Sequence, residues 1–172
     1  MSEATASFPP REQDALYGVL RAGILTSVID GLFSSVLSVF FYNSTAQRLF
    51  QGVAATVVGV DAAFNGGSKT FALGVLMHIG VAFGWSIVYL LIVMRMSWIR
   101  NLLKSQYGII KVAALYGPFI WLVMSLVVIP ALLRRPPTIN NRWLIQFIGH
   151  FPFVGMPIVA SFCPGLFRFK RK

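Results

Sequence analysis

Acidic residues are scarce in this chain, with five Asp and Glu against fifteen Lys and Arg in 172 positions. Four of the five, Glu3, Glu12, Asp14 and Asp61, fall outside the long apolar runs, so no two carboxylates share a depth at which they could act together. Cysteine is scarcer still. Cys163 stands alone, which excludes an internal disulfide and a cysteine-based metal site. Charged residues of either sign make up 12%, about half the share of an ordinary soluble domain. Enzyme motifs are missing too: there is no GxSxG, no HExxH and no phosphate-binding glycine loop. We therefore expect no catalytic residues, no metal centre and no enzyme.

What fills the chain is apolar. Hydrophobic residues reach 56%, and they run from end to end without a separate polar module, which points to one domain. Ala22 to Tyr42 is long enough, at 1.5 Å per residue, to cross a hydrocarbon layer of about 30 Å, and its one charge is Asp30. Thr70 to Met94 and Val112 to Leu133 contain no formal charge at all. Trp143 to Cys163 is uncharged as well, and although Pro152 and Pro157 interrupt it, neighbouring helices can satisfy the backbone groups that proline frees. The fold class expected is all-α: four transmembrane helices, 22–42, 70–94, 112–133 and 143–163.

A fifth apolar stretch, Phe50 to Phe64, is too short to cross, so it is expected as an interfacial or shallow re-entrant helix, with Asn65, Gly66 and Gly67 turning the chain into the second span. The first span is too long for a signal-peptide core and should remain as an anchor.

The net charge of +10 suggests an anionic partner, and its placement decides which. Lys and Arg lie between the apolar runs and at the C-terminus, where they meet headgroups, so the partner expected is anionic lipid rather than nucleic acid. Arg11, Arg21, Arg95, Arg100, Lys104, Lys111, Arg168, Lys170, Arg171 and Lys172 fall on one side, against Arg48, Lys69, Arg134, Arg135 and Arg142 on the other. The bias of ten against five places the segment 1–21 and the basic tail 164–172 in the cytoplasm of a bacterial inner membrane.

In lipid, helices associate through close backbone approach and polar contacts. Gly23, Ser27, Gly31 and Ser35 recur every four residues, which puts them on one face of the first span as a packing groove, and Gly80 and Gly84 form a GxxxG pair in the second. Three polar residues stand out at membrane depth: Asp30, His78 and His150. Such groups are expensive and usually face a partner or a water-filled path. They could carry protons or ions, hold a metal between two imidazoles, or ligate a tetrapyrrole. They could equally act as interhelical hydrogen bonds, with Ser34, Ser38, Tyr89 or Ser125 as partners.

The segments LFQGVAATVVGVDAAFNGG, HIGVAFGWSIVYLL, YGPFIWLVMSLVVIPALL and GHFPFVGMPIVA, taken in order, resemble small bacterial membrane proteins of the YagU-like kind. That resemblance implies four membrane helices and no particular activity. The function expected is a non-catalytic accessory subunit, contacting lipids and the other subunits of a larger membrane complex, for which a photosynthetic reaction-centre or light-harvesting assembly is one candidate host. The alternative is a small transporter or channel running past Asp30 and the two histidines.

Overall fold

The computed structural model describes residues 12–163; residues 1–11 and the basic tail 164–172 lie outside the described residues. Every regular element among the described residues is helical. The first rod is α1 (Glu12–Val36), extended by a π-helical turn, Leu37–Phe41. Two shorter helices follow, α2 (Ala46–Val58) and α3 (Val60–Asn65). The second rod is α4 (Gly67–Leu91), and α5 (Ser97–Leu103) connects it to the third. That third rod is α6 (Gly108–Val123), a π-helical turn Met124–Val128 and α7 (Ile129–Leu133). The fourth is α8 (Asn141–His150), a π-helical turn Phe151–Gly155 and α9 (Met156–Ser161).

Among the described residues four stretches are long and apolar enough to cross a bilayer: Asp14–Phe41, Gly67–Arg95, Gly108–Leu133 and Asn141–Ser161. At 1.5 Å per residue they measure roughly 42, 43, 39 and 31 Å, so the three longer ones either tilt or reach past the hydrocarbon. The chain is a multi-pass membrane protein.

Proline explains two of the π-helical turns. Pro130 cannot donate to the carbonyl of Leu126, and Pro152 and Pro157 cannot donate to Ile148 and Phe153, so the backbone widens around the missing bonds. The rods continue through these points without breaking.

The first helix starts ten residues before the expected Ala22. Arg21, the residue before Ala22, lies inside this helix, and its Nη2 donates to the Ala160 carbonyl at 3.0 Å, one of the last carbonyls of α9. That carbonyl also accepts the Cys163 N–H at 3.2 Å, so two donors share the end of α9. The segment expected as one helix over 50–64 is two. Gly59 adopts φ +84°, a left-handed value that favours glycine, and it ends α2 before α3 begins. At its other end α2 starts at Ala46, where the Thr45 hydroxyl accepts the Arg48 N–H at 3.1 Å.

Two glycine contacts set the packing. On α1, a Cβ at Gly23 would stand 2.6 Å from the Phe83 ring, so α1 and α4 close there. Between α6 and the fourth rod, a Cβ at Gly117 would overlap the His150 carbonyl oxygen and one at Gly155 would overlap that of Ala113. The main core forms around this second contact, with Tyr89, Val112, Tyr116, Val154, Ile158 and Val159 buried together. Gly80 and Gly84, expected as a packing pair, are exposed, and a Cβ at either would meet nothing within 4 Å among the described residues. The close approach on α4 is instead at Gly74, where a Cβ would overlap the Phe50 carbonyl oxygen of α2. Helices α1, α2 and α6 all use other faces of α4, which leaves the Gly80 face open.

Candidate functional site

One side of α1 brings together the groups that carry polarity into the bundle. Ser27, Asp30, Gly31 and Ser34 repeat at three- and four-residue spacing and so lie over successive turns of one face. His78 of α4 reaches this face. Its Nε2 donates to the Ser27 carbonyl at 3.1 Å and stands 4.0 Å from Asp30 Oδ2. Gly31 makes room for the ring, since a Cβ there would already lie 3.4 Å from Nε2. From the third side Phe50 of α2 meets the imidazole edge to face, with centroids 5.6 Å apart. The result is an acid and an imidazole walled by three helices.

The carboxylate is incompletely satisfied. Asp30 Oδ1 is buried and has no hydrogen-bond partner among the described residues, and Thr26 Oγ1, one turn away on the same helix, is in the same condition. Orphan oxygens are uncommon in folded proteins and call for an explanation such as a bound ion, a water or a proton.

His150 belongs to the same level of the bundle. Gln146 of α8 donates to Ser34 Oγ at 3.3 Å, and one turn further inward on each antiparallel helix lie His150 and Asp30. The ring of His150 is anchored on its own helix, Nδ1 lying 2.8 Å from the Gln146 carbonyl, and it packs at 4.7 Å against Trp121. Counted from the ends at Phe41, Gly67 and Asn141, the three polar residues sit at about 16, 16 and 13 Å. Asp30 is therefore near mid-span, some 24 Å from the other end at Asp14, deeper than a span starting at Ala22 implied.

The hydrogen-bond partners expected for these residues go elsewhere. Ser125 accepts the Trp143 indole N–H at 2.9 Å, Ser34 takes Gln146, and the Tyr89 hydroxyl has no partner among the described residues. Neither Ser34, Ser38, Tyr89 nor Ser125 bonds to Asp30 or to either histidine. Of the four-residue stripe on α1, Gly23, Ser27 and Gly31 meet α4, while Ser35 makes no side-chain hydrogen bond and is half-buried. Gln146 was not anticipated, though a glutamine four residues before an intramembrane histidine is a readable signal. Phe50 and Trp121 carried none, because an aromatic in an apolar run looks the same whether it faces lipid or a site.

Among the described residues no group of three or more His, Cys, Asp or Glu stands ready for a metal ion. Outside the spans, burial raises the Tyr42 phenol above its ordinary value while the cation of Arg142, 4.6 Å over its ring, pulls it back.

The helices and the site define the class: a small, all-helical, multi-pass membrane protein with an acid–imidazole pair near mid-span. Comparison with family models, with curated proteins and with solved structures gives no match.

Proposed function

We propose that this chain is a small transporter or channel of a bacterial inner membrane that moves protons or a small cation past Asp30. The observation that carries this reading is the buried, partnerless Oδ1 of Asp30 beside His78. A polar pair kept only to join helices is expected to saturate its bonds, because the bilayer core offers no water to do so. An oxygen left open fits a group that gains and loses its ligand. His150 stands at the same level and extends the polar layer toward the fourth rod. Both termini face the cytoplasm in this reading, and α2 with α3 forms a re-entrant pair at the outer face whose Phe50 closes the site.

Asp30→Asn tests it in protein reconstituted in liposomes with a pH- or potential-sensitive dye. The variant keeps hydrogen-bonding capacity and removes the titrating charge. A wild-type flux that disappears in Asp30→Asn supports the reading; no flux in either protein rejects it.

A second reading, an accessory subunit that stabilises a larger membrane complex, is favoured by the open Gly80 and Gly84 face of α4, where a partner helix could approach closely. Normal co-purification of a large complex with the silent Asp30→Asn variant supports that reading instead.

A further inference from the structure

We propose that a cleft at the 134–140 connector binds a phosphate-bearing amphiphile, with Arg135 and Arg142 holding the phosphate. The cleft is about 380 Å³ and lies between the end of α7, the connector and the start of α8. That volume suits a headgroup and falls in the range of small-ligand sites.

Its chemistry is mixed. Arg135 and Arg142 stand at the rim, both exposed, and among the described residues neither forms a salt bridge. Arg142 is held in place: its guanidinium lies 4.6 Å over the Tyr42 ring, and the Asn140 side chain accepts the Trp143 N–H at 3.0 Å to fix the start of α8. Stacking occupies a face of the guanidinium and leaves its edge N–H donors free, the fork that matches a phosphate. The walls are apolar, with Leu133 and Pro136 among them. Trp121 and Gln146 also line the cleft, and among the described residues the buried Trp121 Nε1 and Gln146 Oε1 have no hydrogen-bond partner, one a donor and the other an acceptor. A headgroup hydroxyl could accept from the first and donate to the second. Cations above apolar walls at the end of a membrane span fit the phosphate of a lipid better than a free phosphate ion.

The full chain in detergent tests this through the fluorescence of Trp121 and Trp143, which line the cleft. Titration with short-chain phosphatidylglycerol should change the emission saturably, whereas inorganic phosphate and short-chain diacylglycerol should not. Saturation by inorganic phosphate alone would overturn the lipid assignment. Arg135→Gln and Arg142→Gln should each weaken binding roughly tenfold, with melting temperatures in detergent unchanged. Arg134, next along the chain but outside the cleft lining, provides the control. If Arg134→Gln weakens binding as much as Arg135→Gln, diffuse surface charge is responsible and the site does not exist. Trp121→Phe, which removes one N–H and keeps the packing, should weaken the lipid severalfold; an unaltered affinity would remove Trp121 from the proposal.

Discussion

The seam between α1 and α4 and the seam between α6 and the fourth rod both use glycine, but they use it for different ends. At Gly117 and Gly155 the missing Cβ lets two backbones touch, and the neighbours are carbonyl groups that cannot move aside. At Gly31 the neighbour is the tip of an imidazole, at a distance a methyl group nearly tolerates. The first arrangement fixes helices against one another and sits beside the apolar core of Tyr116, Val154 and Ile158. The second makes space for a polar side chain. Rigidity and chemistry are thus divided between the two seams.

The division is broken most directly at Gly155→Ala. A methyl group there meets the Ala113 carbonyl, and the rods must separate or the backbone must deform, at a cost of roughly 3 kcal/mol. A large fall in the detergent melting temperature is expected, and Gly117→Ala should match it. Should both variants melt like the wild type, the backbone contact is not what holds this half together.

Tyr116→Phe asks a smaller question of the same core, at the contact of α6 with α4. The Tyr116 hydroxyl donates to the Trp85 carbonyl at 2.7 Å, tying α6 to α4. Its loss should cost about 1 kcal/mol, since the carbonyl keeps its helical partner and the ring keeps its packing. A loss as large as that at Gly155 would make the α6 to α4 hydrogen bond as important to the core as the backbone contact.

The two seams were not equally legible in the sequence. Four membrane helices follow from apolar runs free of charge, because backbone groups in lipid have to be satisfied within the segment. The Asp30, His78 and His150 layer could be picked out for the same reason, as polar residues where polarity is expensive. Their partners could not. Which face of α4 meets α1 depends on how all the rods pack, so Gly80 and Gly84 read as well as Gly74, and only the fold separates them. α1 begins ten residues before the expected first span, and the contact of Arg21 with the Ala160 carbonyl within that stretch is not visible in the sequence. The break at Gly59 was hidden because one glycine in a short apolar run does not declare its φ.

Gly80 and Gly84 belong to neither seam, and that makes them a clean reference. With nothing within 4 Å, Gly80→Ala and Gly84→Ala should leave the isolated protein unharmed and stabilise it by about 0.5 kcal/mol each, through the lower backbone entropy of alanine in a helix. The same variants report on the accessory reading. A partner helix seated on this face would be pushed off, so loss of a co-purifying complex from a protein that is itself more stable would mark the face as an interface.

The smallest effect on stability is expected at Gly31→Ala, and it is the most telling. The added methyl lies 3.4 Å from His78 Nε2, a side-chain tip that can give by a few tenths of an ångström. The small steric cost opposes a helix-propensity gain of similar size, so the net change should stay within about 0.5 kcal/mol. The imidazole tip, however, is the group that shifts, and it is the one that meets the Ser27 carbonyl and Asp30. If Asp30 and His78 work together, the liposome flux should fall severalfold while the melting temperature holds, a separation that no variant at Gly155 can produce. If flux and melting temperature both stay at wild-type values, the imidazole is not needed where the structure puts it, and Asp30 acts without His78. A melting temperature that drops as far as in Gly155→Ala would show instead that the α1 and α4 seam is as rigid as its counterpart, and the distinction between the two would be gone.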